Sequence, residues 1–195
     1  MNQTKNIIIA GVGGQGTLLA SRLMGKYYME KGFDVKVSEV HGMSQRGGSV
    51  VTYVRYGEKV YSPLVDRGEA DIILAFEPLE AARWLPALKK GGLIIVNTQK
   101  TMPMPVISGQ TEYPENIIEK LKAKGLNIIA IDAFSLADQV GNVRAVNMVL
   151  LGVMANYLGD PEHEYIRVME DMMSQKNVDV NKKAFKSGYE FRYNT

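Results

Sequence analysis

Cysteine is absent from all 195 residues. No disulfide framework can hold the chain, and no thiolate can ligate an iron–sulfur cluster or a cysteine-type zinc. Any redox chemistry the protein joins must have its metal centres on another chain, and no metal is expected on this one. An excess of one charge is also lacking: the formal net charge is +2, with no Lys/Arg cluster. Nucleic acid is therefore not expected as a partner. The longest apolar run, Ala145 to Ala155, is interrupted by Asn147 and falls well short of the ~20 residues that span a bilayer. The N-terminal MNQTKNIIIAG has one lysine and a very short apolar run, unlike a secretory signal. A cytoplasmic protein without membrane contact is expected. No internal repeat or low-complexity tract is present.

What is there is ordinary for a globular domain: 46% hydrophobic and 23% charged residues. A single domain of this length buries roughly 70% of its unfolded surface, so it needs no disulfide or structural metal to fold. Short apolar runs alternate with helical patterns, which predicts an α/β domain with a mostly parallel sheet. Ile7 to Ala10 reads as the first strand. A helix follows from about Thr17 to Lys31, with Leu19, Leu23 and Tyr27 on one face and Gly32 as its stop. Val35 to Val40 reads as the second strand. Ser49 to Tyr56 and Val60 to Leu64, separated by Gly57-Glu58-Lys59, are predicted to form an inserted β-hairpin.

Parallel-type alternation then resumes. Ile72 to Phe76 is a strand, followed by a helix opened by Pro78. Leu93 to Val96 is a strand, and Met102 to Pro105 begins an extended connection. Pro114 to Lys124 is a helix and Ile128 to Ile131 a strand. Asn142 caps a helix running from Val143 to Leu158, apolar nearly all round and so placed inside the domain. Glu162 to Asn194 carries two polar helices at an edge or against a partner. Met169, Met172 and Met173 there serve either as core or as an adaptable contact surface.

Two loops stand out. Gly11-Val12-Gly13-Gly14-Gln15-Gly16 lies between the first strand and first helix, where a G-x-G-x-x-G pattern carries meaning. Its glycines permit a tight turn, and the helix N-terminus offers amides to an anion. Glu39, 23 residues beyond Gly16, stands where an acid could meet a ribose hydroxyl. The same turn could equally serve only to pack the helix on the sheet, since a helix dipole contributes only about 0.3–1 kcal/mol to an anion. The second loop, His41-Gly42-Met43-Ser44-Gln45-Arg46-Gly47-Gly48-Ser49, encloses hydrogen-bond donors between glycines. Following a parallel strand, it belongs at the carboxyl edge of the sheet, where open α/β sheets bind ligands. Arg46 there could hold a carboxylate or phosphate in a two-pronged bond, or pair with an acid such as Glu39. His41 reads as a structural residue.

GVGGQG, SEVHGMSQRGGSVVTYVRYG, YSPLV, EADIILAFEPLEAAR and GNVRAVNMVLLG together resemble the small subunit of 2-oxoacid:ferredoxin oxidoreductases. The likeness is nearest to the beta subunit of the indolepyruvate kind and extends to the gamma subunit or domain of the pyruvate and 2-oxoglutarate kinds. It runs from about Ile7 to Gly159. The long GMSQRGGSV block is its most specific part, and the tail beyond Asp160 carries no matching motif. The resemblance implies a Rossmann-like three-layer α/β fold with an inserted hairpin and C-terminal helices. Residues 1–160 would be the gamma-type domain, and 161–195 a helical extension of it.

Enzymes of that family cleave a 2-oxoacid with thiamine diphosphate and pass electrons to ferredoxin through iron–sulfur clusters, while coenzyme A takes the acyl group. The resemblance puts thiamine diphosphate, Mg2+ and the clusters on a large alpha subunit. This sequence has no G-D-G followed by a distal Asn, and Gly159-Asp160-Pro161 is not one. The chain is thus expected to bind no cofactor by itself and to be inactive alone. Ser44, Gln45, Arg46, Gly47 and Gly48 would face the partner's active site. Gly11, Gly13, Gly14, Gln15 and Gly16 would bind a phosphate-bearing group or shape the fold, with Glu39, Arg144 and Asn147 in support. Trp84 reads as core or interface. Two other readings stay open: a stand-alone NAD(P) dehydrogenase using Gly11, Gly13, Gly16 and Glu39, and a scaffold subunit without active-site residues.

Overall fold

The computed structural model describes residues 4–41 and 48–193. Six strands form one sheet: β1 (Lys5–Val12), β2 (Asp34–His41), β3 (Ser49–Gly57), β4 (Ala70–Ala75), β5 (Leu88–Asn97) and β6 (Asn127–Ile131), in the order β2-β3-β1-β4-β5-β6. The pairs β1–β4, β4–β5 and β5–β6 are parallel, whereas β3 runs antiparallel to both β1 and β2. After β1 the chain runs to the edge at β2 and returns through β3, whereas β4, β5 and β6 step outward on the other side, so β1 and β4 flank a topological switch point.

Alternation along β1 sorts the two faces. Ile7 and Ile9 face one cluster, built with α1 (Thr17–Glu30), α5 (Ala133–Gln139) and α6 (Val146–Leu158). Ile8 and Ala10 face the other, built with α2 (Pro78–Trp84) and α4 (Ile117–Ala123). Helices thus cover both faces of the sheet in a three-layer α/β arrangement. A short helical turn, α3 (Met104–Ile107), interrupts the connection after β5, where the sequence predicts extended chain.

The antiparallel hairpin is present but uses other strands than expected. It is formed by β2 and β3, while 60–64 is no strand. Both edges of β3 are occupied, by β1 and β2, so no ladder is open to the following segment. Its polar groups go to side chains instead. Asp34 accepts the Val60 amide at 2.9 Å, and Arg55 Nη1 donates to the carbonyls of Ser62 and Leu64 at 3.1 and 2.7 Å. Pro63 has no amide to give a ladder in any case.

Asn142 is a cap as predicted, its Oδ1 accepting the Arg144 amide at 3.0 Å, but a 3₁₀ turn over Val143–Ala145 precedes α6. The apolar circumference of α6 follows from its position between the sheet and the last helix. α7 (Glu162–Met172) lies along α1, and α8 (Gln175–Tyr189) lies along α6, burying Tyr165, Met169 and Phe185. The sequence assigns these helices to an edge or a partner surface; their apolar stripes are filled by α1 and α6. Met169 is core and Met172 is exposed. Gly159 ends α6 in the left-handed region, and Asp160 beside it accepts the Tyr28 hydroxyl at 2.6 Å. That triplet therefore pins the end of α6 to α1.

Candidate functional site

β1 ends at the carboxyl edge, and the chain turns through Gly13 to Gly16 into α1. Gly16 is the N-cap of α1 at φ 84°, ψ 23°, a conformation open to glycine without the Cβ penalty. Among the described residues no side chain caps this helix, and no acid occupies its first turn. Its leading amides therefore present partial positive charge without a local competitor. Gln15 is engaged within its own loop. Its Oε1 accepts the Val12 amide at 2.7 Å, and its Nε2 reaches Thr101 Oγ1 at 3.4 Å. Gly11 makes room for this side chain, since a Cβ there would stand 2.8 Å from Gln15 Oε1.

The loop between β2 and β3 leaves and rejoins the sheet at the same edge. The Gly13 amide donates to the Gly48 carbonyl at 2.9 Å, and Val12 stands opposite Ser49 in the ladder. The structure thus brings Gly48 against the glycine loop. Ser44, Gln45, Arg46 and Gly47 lie outside the described residues, as does the His41 side chain. Glu39 lines an open cleft of about 260 Å³ together with Gly14, Gly16, Thr17 and Val50. Its setting differs from that of a ribose-binding acid. Because β3 separates β1 from β2, Glu39 starts two strand spacings from the end of β1, about 10 Å, rather than one.

A third group of residues completes the edge. Glu77, directly after β4, caps α2 and is 1% exposed. Its Oε2 accepts the Glu80 amide at 3.1 Å, and its Oε1 accepts the Tyr113 hydroxyl from the β5–α4 connection. Thr101, from the same connection, meets Gln15. Glu80 is also buried, and its Oε2 accepts the Ser49 hydroxyl at 2.6 Å. Asn97 ties the ends of the parallel strands together, donating to the Phe76 carbonyl at 3.3 Å and accepting the Ala133 amide at 3.1 Å.

Burial pushes the Glu77 carboxyl above its ordinary range, against the opposing pull of the Tyr113 hydroxyl and nearby amides. A carboxyl raised on folding stabilises fully below its unfolded value and loses that stabilisation as pH rises through the folded value. Glu77→Gln keeps an acceptor for Tyr113 and removes the titration. Urea unfolding from about pH 5 to about pH 8 should therefore show wild type losing stability relative to the variant. Parallel pH profiles would contradict this assignment.

Asn147 is 3% exposed and belongs to the same edge, its Nδ2 donating to the Gly16 carbonyl at 3.2 Å and its Oδ1 accepting the Met148 amide at 3.0 Å. It joins α6 to the glycine loop. Arg144 is exposed on the preceding turn and does not share this burial. Trp84 lies at the end of α2, edge-to-face with Tyr53 at 6.0 Å, on the far layer of the core. Sequence reasoning passed over Glu77, Glu80, Thr101 and Tyr113. A signal was available for the first two: an acid before Pro, with Glu three positions on, is a capping pattern. Nothing local marks the others.

Among the described residues no group of three or more His, Asp or Glu side chains could hold a metal ion, and no helix is long and apolar enough to cross a membrane. The pyruvate ferredoxin/flavodoxin oxidoreductase family matches residues 6–191. The chain belongs to that family. Within it, the indolepyruvate oxidoreductase subunit IorB of Thermococcus kodakarensis is 44% identical over 190 residues, covering 94% of this chain and 93% of that one. The same fold occurs in the pyruvate oxidoreductase subunit PORC of Thermotoga maritima, with a TM-score of 0.73 at 23% identity over 96% of each chain. It recurs inside a longer chain, the 2-oxoglutarate:ferredoxin oxidoreductase of Magnetococcus marinus, with a TM-score of 0.72 at 19% identity. There it covers 97% of this chain but 31% of that one. The protein is an oxidoreductase subunit of this family.

Proposed function

We propose that this chain is the small subunit of a cytoplasmic, thiamine diphosphate-dependent indolepyruvate:ferredoxin oxidoreductase. A large alpha subunit carries the thiamine diphosphate, Mg2+ and iron–sulfur clusters, and electrons leave to ferredoxin. Nucleic acid and membrane play no part. The observation that carries this reading is the likeness to IorB over 94% of this chain and 93% of that one, in a chain with no cysteine. Such a chain can join the oxidation of a 2-oxoacid only through centres held elsewhere.

In this reading the carboxyl edge is the face turned to the alpha subunit. The segment with Ser44, Gln45, Arg46, Gly47 and Gly48 supplies donors to the shared active site, Arg46 binding the carboxylate of the 2-oxoacid or a phosphate. The glycine loop fits a phosphate-bearing group, coenzyme A or the thiamine diphosphate: α1 carries no acid in its first turn, and the Cβ position of Gly14 opens into empty space. Thiamine diphosphate, when bound by the complex, would supply carbanion chemistry at the 2-oxoacid carbonyl. This chain's part is to orient groups and exclude water. The strand order, with Glu39 two spacings from β1, favours this over a nicotinamide site.

Reconstitution tests the proposal. The two subunits, purified together, should oxidise indolepyruvate in preference to pyruvate and 2-oxoglutarate, and this chain alone should oxidise none of them. Arg46→Ala should leave assembly intact and lower turnover by ten- to a hundredfold. A charge-assisted bond is worth about 1.5–3 kcal/mol, and each 1.4 kcal/mol is roughly tenfold in rate. Oxidation of any of the three acids by the isolated chain would end the proposal.

A further inference from the structure

We propose that Glu80 is a positioning residue for the reaction of the complex. It fixes, through Ser49, the start of β3 and with it the Gly48 carbonyl that meets the glycine loop. The inference rests on the reading that this edge, with the segment that carries Arg46, faces the shared active site.

Glu80 lies in the first turn of α2, is 3% exposed, and has no role as the helix cap, which Glu77 fills. Its Oε2 accepts the Ser49 hydroxyl at 2.6 Å, across 31 residues of sequence. Its Oε1 is 3.3 Å from Arg83 Nε, a guanidinium half exposed to water. A buried carboxylate is costly to desolvate, and an apolar pair would hold α2 to the sheet as well or better. What a carboxylate adds is direction: it accepts a hydrogen bond at one place.

That place is the root of the loop. Ser49 pairs with Val12, the last residue of β1, and Gly48 accepts the Gly13 amide. The exit from the loop is thus held on three sides, by β1, by the glycine loop and by α2. The same helical turn also holds the β5–α4 connection, through Glu77 and Tyr113, and that connection reaches the glycine loop through Thr101 and Gln15. Glu77 and Glu80 are both buried at the start of this helix, and each holds a different connection of one edge.

The test uses the reconstituted two-subunit complex with indolepyruvate, coenzyme A and ferredoxin. Ser49→Ala and Glu80→Ala should each lower kcat tenfold or more with KM for indolepyruvate changed less than threefold, and with subunit stoichiometry unchanged. The double variant should lose no more than either single, because both remove one bond. Glu80→Gln, whose amide oxygen still accepts from Ser49, should retain kcat within about threefold of wild type. Ser49→Ala is the variant least able to disturb folding, and its wild-type kcat would overturn the inference. So would multiplicative losses in the double variant, or a Glu80→Gln complex as impaired as Glu80→Ala. Arg46→Ala separates the two levels. Full activity there overturns the reading of the segment itself, whereas loss there with an unimpaired Ser49→Ala overturns the role of Glu80 alone.

Discussion

Gly188→Ala should unfold at a temperature lower by about 10 °C or more, or fail to accumulate as folded protein. A Cβ on Gly188 would stand 1.9 Å from the Val149 carbonyl oxygen and 2.7 Å from its carbon. The reciprocal contact is as close, since a Cβ on Gly152 would stand 2.1 Å from the Phe185 carbonyl oxygen and 2.8 Å from the Tyr189 amide nitrogen. These are backbone atoms of two packed helices, so no rotamer change relieves the overlap. α6 and α8 must move apart, and separation opens space around Phe185, Ala184, Val149 and Val153, all fully buried. Overpacking costs about 1–3 kcal/mol where side chains can yield, and at least the upper end is expected here. For a protein of this size each kcal/mol lowers the melting temperature by about 2–4 °C. Lys183→Ala, exposed on the same helix, should shift it by less than 2 °C, within the roughly 0.5 kcal/mol typical of surface changes. A Gly188→Ala protein melting with wild type would show that α6 and α8 do not pack this closely.

The second large effect is expected at the glycine loop. Gly16→Ala meets two penalties at once. Its φ of 84° lies where a Cβ costs about 1–2 kcal/mol, and that Cβ would stand 2.6 Å from Asn147 Nδ2. Asn147 would be driven from the Gly16 carbonyl, leaving buried polar groups unpaired at about 1–3 kcal/mol. A total loss of about 2–5 kcal/mol is expected, with turnover of the reconstituted complex reduced at least tenfold. Gly14→Ala, also at positive φ but with no atom within 4 Å of its Cβ, should carry the backbone penalty alone. Denaturant titrations of Gly16→Ala, Asn147→Ala and the double variant decide the mechanism. The double should be no less stable than Gly16→Ala, because the alanine at 147 removes the obstruction. Simple addition of the two losses would mean that Asn147 does not meet this loop.

Some of this was legible in the chain itself, for a local reason. The run Ile7 to Ala10, the glycine turn and the Leu19–Leu23–Tyr27 stripe each specify strand, turn or helix through neighbours a few residues away. Gly32 stopping α1, Pro78 opening α2 and Asn142 capping the turn before α6 are of the same kind. The uniform apolarity of α6 announced burial, and the absence of cysteine excluded a thiolate-held cluster from this chain. What only the tertiary structure decided depends on groups far apart in sequence. Val60 to Leu64 has strand-like composition, but β1 and β2 had already occupied both edges of β3. Glu80 finds Ser49 across 31 residues, Glu77 finds Tyr113 across 36, and Asn147 finds Gly16 across 131. Gly152 and Gly188 look dispensable until two helices cross through them. Composition and periodicity report which side a residue turns; which partner meets it there is set by how the layers close, and no local pattern encodes that.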